Sequence, residues 1–421
     1  QFFRLAMDSA RHLPDLPDAA RRELAGTVAH AAQLAGDVDA AVAALRTARA
    51  LARAEPLALA ELCRREGRLR ERARHYGQAL AWFTRGLRAL ESVEGHEAQL
   101  LFNRLKAARG AARLRQGRLR AALPELHAAI EGARRADDQE TLAHAYYLMD
   151  WALTDLGSPE VEEYRGKALE IYERLGDRAG MARSLNNLGV DAYYEGRWDE
   201  AVAYYERARE ANEAVGDVIE TANVENNIAE VRLDQGRIEE ARVLLQDALA
   251  TWASAQSWMG VGMATANLGL CALRTGDLDG AAARFVAARE AYEKIDARAE
   301  AFAVYALEAE HLLCRRRPDE ALERVGAIRA RAKEIGVGPA LLAGLQRLAA
   351  HAKLQSGDRD GGLVRLDEAL ALAGQVDAAW EQARCLQTLA RVRGAEGTEA
   401  ADQAAALTSR LGVIASPVIP V

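Results

Sequence analysis

"SLNNLGVDAYYEGRWDEAVAYYERA" spans Ser184–Ala208, and its reading decides the fold. Apolar and small residues recur at offsets of three and four on both sides of Gly196, the mark of two amphipathic helices about a tight turn. Two adjacent asparagines, Asn186 and Asn187, sit well inside the first helix. The asparagine amide competes with the backbone for hydrogen bonds, so it is a poor interior helix residue. Helix propensity does not account for the pair.

The turn recurs. Gly236 in "QGRIEEA", Gly276 in "TGDLDGA", Arg316 in "RRRPDEA", Gly357 in "SGDRDGG" and Gly397 follow it at steps of about 40 residues. Gly157, Gly117, Arg74 and Gly36 precede it at the same pitch. Each unit repeats one grammar after the turn: a large residue (Leu119, Trp198, Ile238, Leu278), then alanine (Ala122, Ala201, Ala241, Ala281). A leucine or aromatic follows (Leu126, Tyr205, Leu245, Phe285), then another alanine (Ala129, Ala208, Ala248, Ala288). These offsets mark one face of a second helix, B, and small residues sit where neighbouring helices cross. In the first helix, A, the pairs Leu188-Gly189 and Leu268-Gly269 do the same. No alternating β-branched runs occur, so the expected class is all-α.

These residues resemble the tetratricopeptide repeat, most strongly from Gly117 to Gly357. The resemblance implies a right-handed solenoid of about ten helix-turn-helix repeats, each burying its apolar face on its neighbours, with A helices lining a concave groove. The period exceeds the usual 34 residues. Segments such as "LGD" (Leu175–Asp177) and "VGD" (Val215–Asp217) lengthen the inter-repeat link. This longer form is similar to the repeats of peptide-binding bacterial regulators and kinesin light chains. "NNIAEVRLDQGRIEEARVLLQDAL" also looks like the C-terminal repeat region of actinobacterial signalling proteins that carry an adenylate-cyclase or ATPase module upstream. The chain begins at Gln1 rather than Met, and the expectation is a fragment of such a protein.

Asn187 has counterparts at Asn227 and Asn267, each nine residues before its turn glycine. Asn186 pairs likewise with Asn226, and Asn223 lies one helical turn earlier. A primary amide is both donor and acceptor. A row of them at constant pitch suits the alternating N–H and C=O groups of an extended peptide. In related repeat proteins the equivalent asparagines bind peptide main chain. The resemblance implies that role for Asn186, Asn187, Asn223, Asn226, Asn227 and Asn267, with Arg183 beside them. Two other readings stand: the amides bond a neighbouring helix, or they recur through duplication alone.

A second candidate is basic. Residues 60–120 hold 15 Lys or Arg against 6 Asp or Glu, within a chain of net charge -7. The register points Arg64, Arg65, Arg68 and Arg104 toward the groove. Guanidinium forks suit carboxylates and phosphates, so this end is expected to hold an anion; the plain alternative is a solvated charged face. Tyr193, Tyr194 and Trp198 read as core packing, and Trp252 and Trp258 as staples of an inter-repeat link. Pro124 is expected to kink or delay its helix.

The overall acidity argues against a nucleic-acid partner, and no apolar run reaches the length of a membrane span. Four cysteines without a CxxC pair fit reduced core thiols in a cytoplasm, not a zinc site. No phosphate loop or HExxH is present. The expected organisation is a lead-in helix and linker at 1–18, the solenoid at 19–411 and a tail at 412–421. The expected role is a non-enzymatic scaffold without metal or cofactor, binding a peptide or protein segment in the groove. It would serve as the regulatory part of a larger bacterial signalling protein. The alternatives are self-association as a homodimer, docking onto its own upstream domain, and a nucleotide or small-molecule sensor.

Overall fold

The structure is a computed structural model, which describes residues 16–35, 37–331 and 338–421. Among these residues it contains helices and no strand. In chain order the helices are α1 (Asp18–Leu34), α2 (Val38–Leu51), α3 (Pro56–Arg72), α4 (Tyr76–Ala89), α5 (His96–Arg115), α6 (Leu119–Arg135), α7 (Gln139–Asp155), α8 (Lys167–Leu175), α9 (Arg178–Tyr194) and α10 (Trp198–Val215). They continue as α11 (Val218–Asp234), α12 (Ile238–Ser254), α13 (Trp258–Arg274), α14 (Leu278–Glu293), α15 (Arg298–Cys314), α16 (Pro318–Arg331), α17 (Pro339–Gln355), α18 (Arg359–Gln375), α19 (Ala379–Arg393) and α20 (Thr398–Arg410). Odd-numbered helices are the A helices and even-numbered ones the B helices, as the repeat required. The lead-in segment and the first turn glycine, Gly36, lie outside the described residues.

Most of the described turns reverse through a left-handed residue. Gly117, Gly157, Gly196, Gly236, Gly276 and Gly357 have positive φ, and Arg74 and Arg316 hold the same conformation where glycine is missing. In the last repeat Gly394, not Gly397, is the left-handed residue (φ +59°), because a 3-10 turn over Gly394–Gly397 intervenes before α20. A second series marks the inter-repeat link: Asp137, Gly176, Gly216, Gln256, Asp296 and Asp377. There the chain closes a helix C-terminal motif, as in the bond from Asp217 N–H to Asn212 C=O at 3.0 Å. Asp138, Asp177 and Asp217 then cap the next A helix by accepting from the backbone N–H three residues on.

The packing explains the recurring small residues. In four repeats the aromatic or leucine of the B helix lies on a glycine of its A helix: Phe83 on Gly67, Leu126 on Gly110, Tyr205 on Gly189 and Phe285 on Gly269. A methyl group at Gly189 would stand 2.4 Å from the Tyr205 ring. Ala122, Ala201, Ala241 and Ala281 are fully buried on the B side of the same crossings. Each buried Leu or Phe removes enough apolar area to stabilise the array by roughly 1.5–3 kcal/mol. Contacts also run between successive A helices, α3 with α5, α5 with α7, and α11 through α19 in turn, so the A helices form the closer-spaced layer. Two expectations need adjustment. Helix α6 runs through Pro124 and starts on register at Leu119. The fourth B helix is divided instead, into a 3-10 turn at Pro159–Glu163 and α8, with Gly166 (φ +81°) between them.

The chain forms two compact units, divided between Met181 and Ala182 within α9. In the first, hydrogen bonds and ion pairs join helices no more than two apart, such as Arg65 to the Gly26 carbonyl and Arg115 to Glu71. In the second, side chains far apart in sequence meet.

Candidate functional site

In the second unit each A helix sends polar side chains inward, and the asparagine register begins this stripe. Asn227 Nδ2 donates to Asn186 Oδ1 at 2.9 Å. Asn267 Nδ2 donates to Asn226 Oδ1 at 3.1 Å and to Glu230 Oε1 at 3.0 Å. Asn226, fully buried, also donates to Glu230 at 3.0 Å. The ladder is therefore cross-linked between adjacent A helices, and part of its bonding capacity serves the fold. Asn223 donates locally to Glu220 at 3.0 Å. Asn187, half-buried, takes no part in these bonds, and Arg183 is exposed.

Further along the same helices the stripe becomes ionic. Tyr193 of α9 donates its hydroxyl to Asp234 Oδ2 of α11 at 2.7 Å, and Trp380 Nε1 of α19 donates to Asp234 Oδ1 at 3.0 Å. Arg274 of α13 and Arg384 of α19 both bind Glu310 of α15, and Arg347 of α17 binds Glu381 of α19. Every A helix of the second unit thus contributes, and the last one ties back to Asp234 of α11. The Trp380 ring also meets Trp198 edge-on, with centroids 5.7 Å apart. Trp198 stacks on Tyr193 and is buried, while Tyr194 is 68% exposed. The packing reading fits two of these three aromatics.

Burial and partners set the protonation of this stripe. Desolvation raises the carboxyls of Glu230 and Asp234 above the usual carboxylate range, against the opposing pull of their hydrogen-bond donors. Desolvation acts on Glu310 too, but Arg274, Arg384 and Arg347 outweigh it and hold that carboxyl below the range. His351 is buried beside Arg347 and Arg391, and its imidazole is pushed down to about 3. It is therefore neutral, shared between the Thr388 hydroxyl and the Pro420 carbonyl.

The tail lies against this face. After α20 the chain runs on without regular structure, and its main chain is held by side chains. Gln235 Nε2 donates to the Leu411 carbonyl at 3.3 Å, and Ile414 N–H donates to the Gln235 carbonyl at 2.8 Å. Gln387 Nε2 donates to the Ser416 hydroxyl at 2.8 Å. Arg391 Nη1 donates to the Ile419 carbonyl at 3.1 Å, and Gln355 Nε2 to the Pro420 carbonyl at 2.9 Å. The Ile419 side chain, 2% exposed, is buried with Leu312, Leu313, Leu348, Ala349 and Ala352. None of these tail-binding residues stood out in the sequence. Nothing local in the sequence tells that a segment dozens of residues away returns to Gln235, Gln355 and Gln387.

In the first unit three of the four candidate arginines are already engaged. Arg64 makes a two-pronged pair with Glu61, both bonds at 2.7 Å. Arg65 donates to the Gly26 carbonyl at 2.8 Å, and Arg104 lies 3.7 Å from Asp138 and from Glu140. Arg68 differs. It is open to solvent yet crowded, and desolvation, then the charge of Arg64, lower its guanidinium below the ordinary value. Arg72 and Arg115 act in the same direction and Glu71 against it. Cys63, Cys271 and Cys385 are buried and Cys314 half-buried, all as free thiols. Among the described residues no cluster of His, Cys, Asp and Glu could hold a metal ion. None of the described helices is long and apolar enough to cross a membrane.

A family model described as tetratricopeptide repeat matches residues 159–214 and 220–294. No curated protein matches the sequence. Among solved structures the chain is similar to a Rap protein complexed with competence and sporulation factor: TM-score 0.64, 16% identity, 84% of this chain and 98% of that one. It is similar to the apo form of the quorum sensor NprR from B. thuringiensis: TM-score 0.58, 16% identity, 78% and 91%. A signal transduction ATPase with numerous domains and a tetratricopeptide repeat sensor, from Pyrococcus horikoshii, gives TM-score 0.53 at 17% identity, over 80% of this chain and 51% of that one. At these identities the likeness establishes the shared fold, a tetratricopeptide-repeat solenoid.

Proposed function

We propose that this tetratricopeptide-repeat solenoid is an interaction scaffold that takes an extended peptide or protein segment on the concave face of its second unit. One observation carries the reading: the second unit already holds an extended segment by its main chain, through Gln235, Gln355 and Arg391. Side-chain donors on an inner A-helix face that pair with backbone carbonyls are what recognition of an extended chain requires. The resemblance to a Rap protein bound to a competence and sporulation factor, and to a quorum sensor, supports the same reading. So does the likeness to an ATPase with a tetratricopeptide repeat sensor, which favours a regulatory role within a larger signalling protein. On this reading Asn187, Asn223 and Arg183 offer the ladder's contacts to a ligand. Asn186, Asn227 and Asn267, half-buried, keep their unused lone pairs and N–H groups for it, while buried Asn226 serves the fold.

The test is a titration of a crosslinked and identified partner segment against the chain and against the Asn187→Ala, Asn223→Ala, Arg183→Ala triple variant. A loss of about tenfold or more in affinity, equal to about 1.4 kcal/mol, with an unchanged melting point supports the placement. Unchanged affinity in a folded variant sinks it.

A second reading belongs to the first unit. Arg68, crowded by Arg64, Arg72 and Arg115, is suited to an acidic side chain or a phosphate. Reversal to glutamate should abolish binding of an acidic ligand, and salt should weaken it, since exposed charges are screened over about 10 Å at 0.1 M. Binding indifferent to both changes would leave Arg68 as ordinary surface.

A further inference from the structure

We propose that the surface under the tail is a binding site for a partner's extended, proline-bearing apolar segment, and that residues 413–421 occupy it as a displaceable internal ligand. The proposal rests on the reading of the second unit as a segment-binding scaffold and names the chemistry it selects.

Three observations carry it. First, the contacts are those of recognition, not of helix packing. The tail has no secondary structure of its own, and its Leu411, Ile419 and Pro420 carbonyls are met by Gln235, Arg391 and Gln355. Any segment of the right path presents the same carbonyls, so these bonds do not depend on tail sequence. Second, one side chain supplies the selectivity. Ile419 is buried in one apolar cluster with Leu312, Leu313, Leu348, Ala349 and Ala352, its socket, while its neighbour Val418 is 70% exposed and Ile414 67%. The pattern is that of an extended chain with one residue in and the next out. The two flanking prolines, Pro417 and Pro420, restrict the backbone to extended conformations and cannot donate main-chain hydrogen bonds. The site accordingly offers donors to carbonyls here and asks few N–H groups in return. Third, the tail is weakly anchored beside the helices around it. One buried side chain and a handful of bonds hold it, whereas each helix pair is fixed along its whole length. Segments with few buried apolar contacts open at low cost.

Exchange then follows from mass action. A segment of the same kind competes with a tethered one, and its apparent affinity is reduced by the fraction of time the socket is filled. Release of the tail also frees Ile419 and withdraws the Ile414 N–H from the Gln235 carbonyl.

The probe is a labelled peptide with the sequence of residues 411–421, LGVIASPVIPV, titrated by fluorescence anisotropy into the full chain. Three chains are compared: the parent, Ile419→Asp, which expels the anchor, and Ile414→Pro, which removes the bond to Gln235 without touching any helix. Binding to both variants about tenfold tighter than to the parent is expected. A peptide carrying Asp at the Ile419 position should fail on all three. Hydrogen exchange of the parent reads the same event without any variant: added peptide should accelerate exchange at residues 413–421. Equal binding to all three chains, or no binding to variants that keep the parent's circular dichroism, would overturn the proposal. So would a concentration-dependent dimer of the parent that Ile419→Asp abolishes, since the socket would then belong to a second copy's tail. A partner segment that binds the ladder face with the tail still protected would leave the scaffold reading standing and sink this one.

Discussion

Asn226 and Asn187 stand at neighbouring positions of the same repeated asparagine pair in adjacent repeats, and their surroundings assign them opposite energetics. Asn226 is fully buried and serves Asn267 and Glu230. Asn226→Ala takes one hydrogen bond each from Asn267 and Glu230, which then keep only each other, so unfolding free energy should fall by about 1–3 kcal/mol. Asn187→Ala leaves no such orphan and gains up to about 0.7 kcal/mol of helix propensity. Urea titration of the two variants checks the contrast; equal losses would mean that Asn187 is also structural. The sequence showed this register because identity and spacing repeat. It did not show the lateral bonds, since an amide has two ends and pitch alone does not say which of them meets a helix.

The carboxylates of the same stripe respond to pH with opposite signs. Glu230 has a folded pKa raised by desolvation, so the folded state holds its proton longer than the unfolded chain does. Its ionisation therefore costs stability as pH rises from the ordinary glutamate value, about 4.3, through the raised one. Glu310 has a lowered folded pKa: its contribution is complete above the ordinary value and is lost as pH falls through the folded one. At neutral pH Glu230→Gln should stabilise, and that gain should vanish in acid. Glu310→Gln leaves Arg274 and Arg384 without their carboxylate and should cost about 3–5 kcal/mol at pH 7, the gap narrowing below about pH 4. Denaturation midpoints from pH 2 to 8 decide it; parallel curves for parent and both variants over that range would refute the assignment.

At the scale of the element, space at a crossing outweighs helix propensity. Gly260 opens the third position of α13, where an added methyl would stand 2.1 Å from the Trp252 ring. Alanine is intrinsically favoured in a helix by about 1 kcal/mol, but forcing atoms into a packed crossing costs about 1–3 kcal/mol. Gly260→Ala should therefore destabilise, whereas Gly326→Ala in α16, with nothing within 4 Å and an ordinary φ, should gain. Ala241→Leu, at a fully buried crossing, should fall with Gly260→Ala, and exposed Glu240→Gln should stay near the parent. Thermal melts rank the four; a neutral Gly260→Ala would show that Trp252 has room to move. Elements were the most legible level of the sequence, because turn glycines and small residues announce themselves. The inter-repeat links were legible only where glycine supplies the left-handed residue, at Gly176 and Gly216. Asp137, Gln256, Asp296 and Asp377 adopt the same conformation without that signature.

For the molecule, an open repeat array is a chain of nearest-neighbour couplings whose terminal repeats fray. The first unit follows that rule, its bonds reaching no further than two helices. The second departs from it, because Trp380 and Arg384 of the final A helix reach Asp234 and Glu310 across 146 and 74 residues of sequence. Contacts of that span were illegible in a sequence whose every regularity is local to one period. They add to α19 a coupling that an open end lacks, so amide exchange in α19 should be as slow as in α11 and α13. Trp380→Ala removes the donor to Asp234 and the contact with Trp198, leaving a buried carboxylate with one donor fewer. Loss of the ring should cost about 3–5 kcal/mol, and the exchange pattern should change in kind as well as degree. Protection should fall in a gradient from α20 back toward α15, the signature of an end set free. If α19 already exchanges as fast as α1 in the parent chain, the reach of Trp380 contributes no stability, and the second unit frays like any open array.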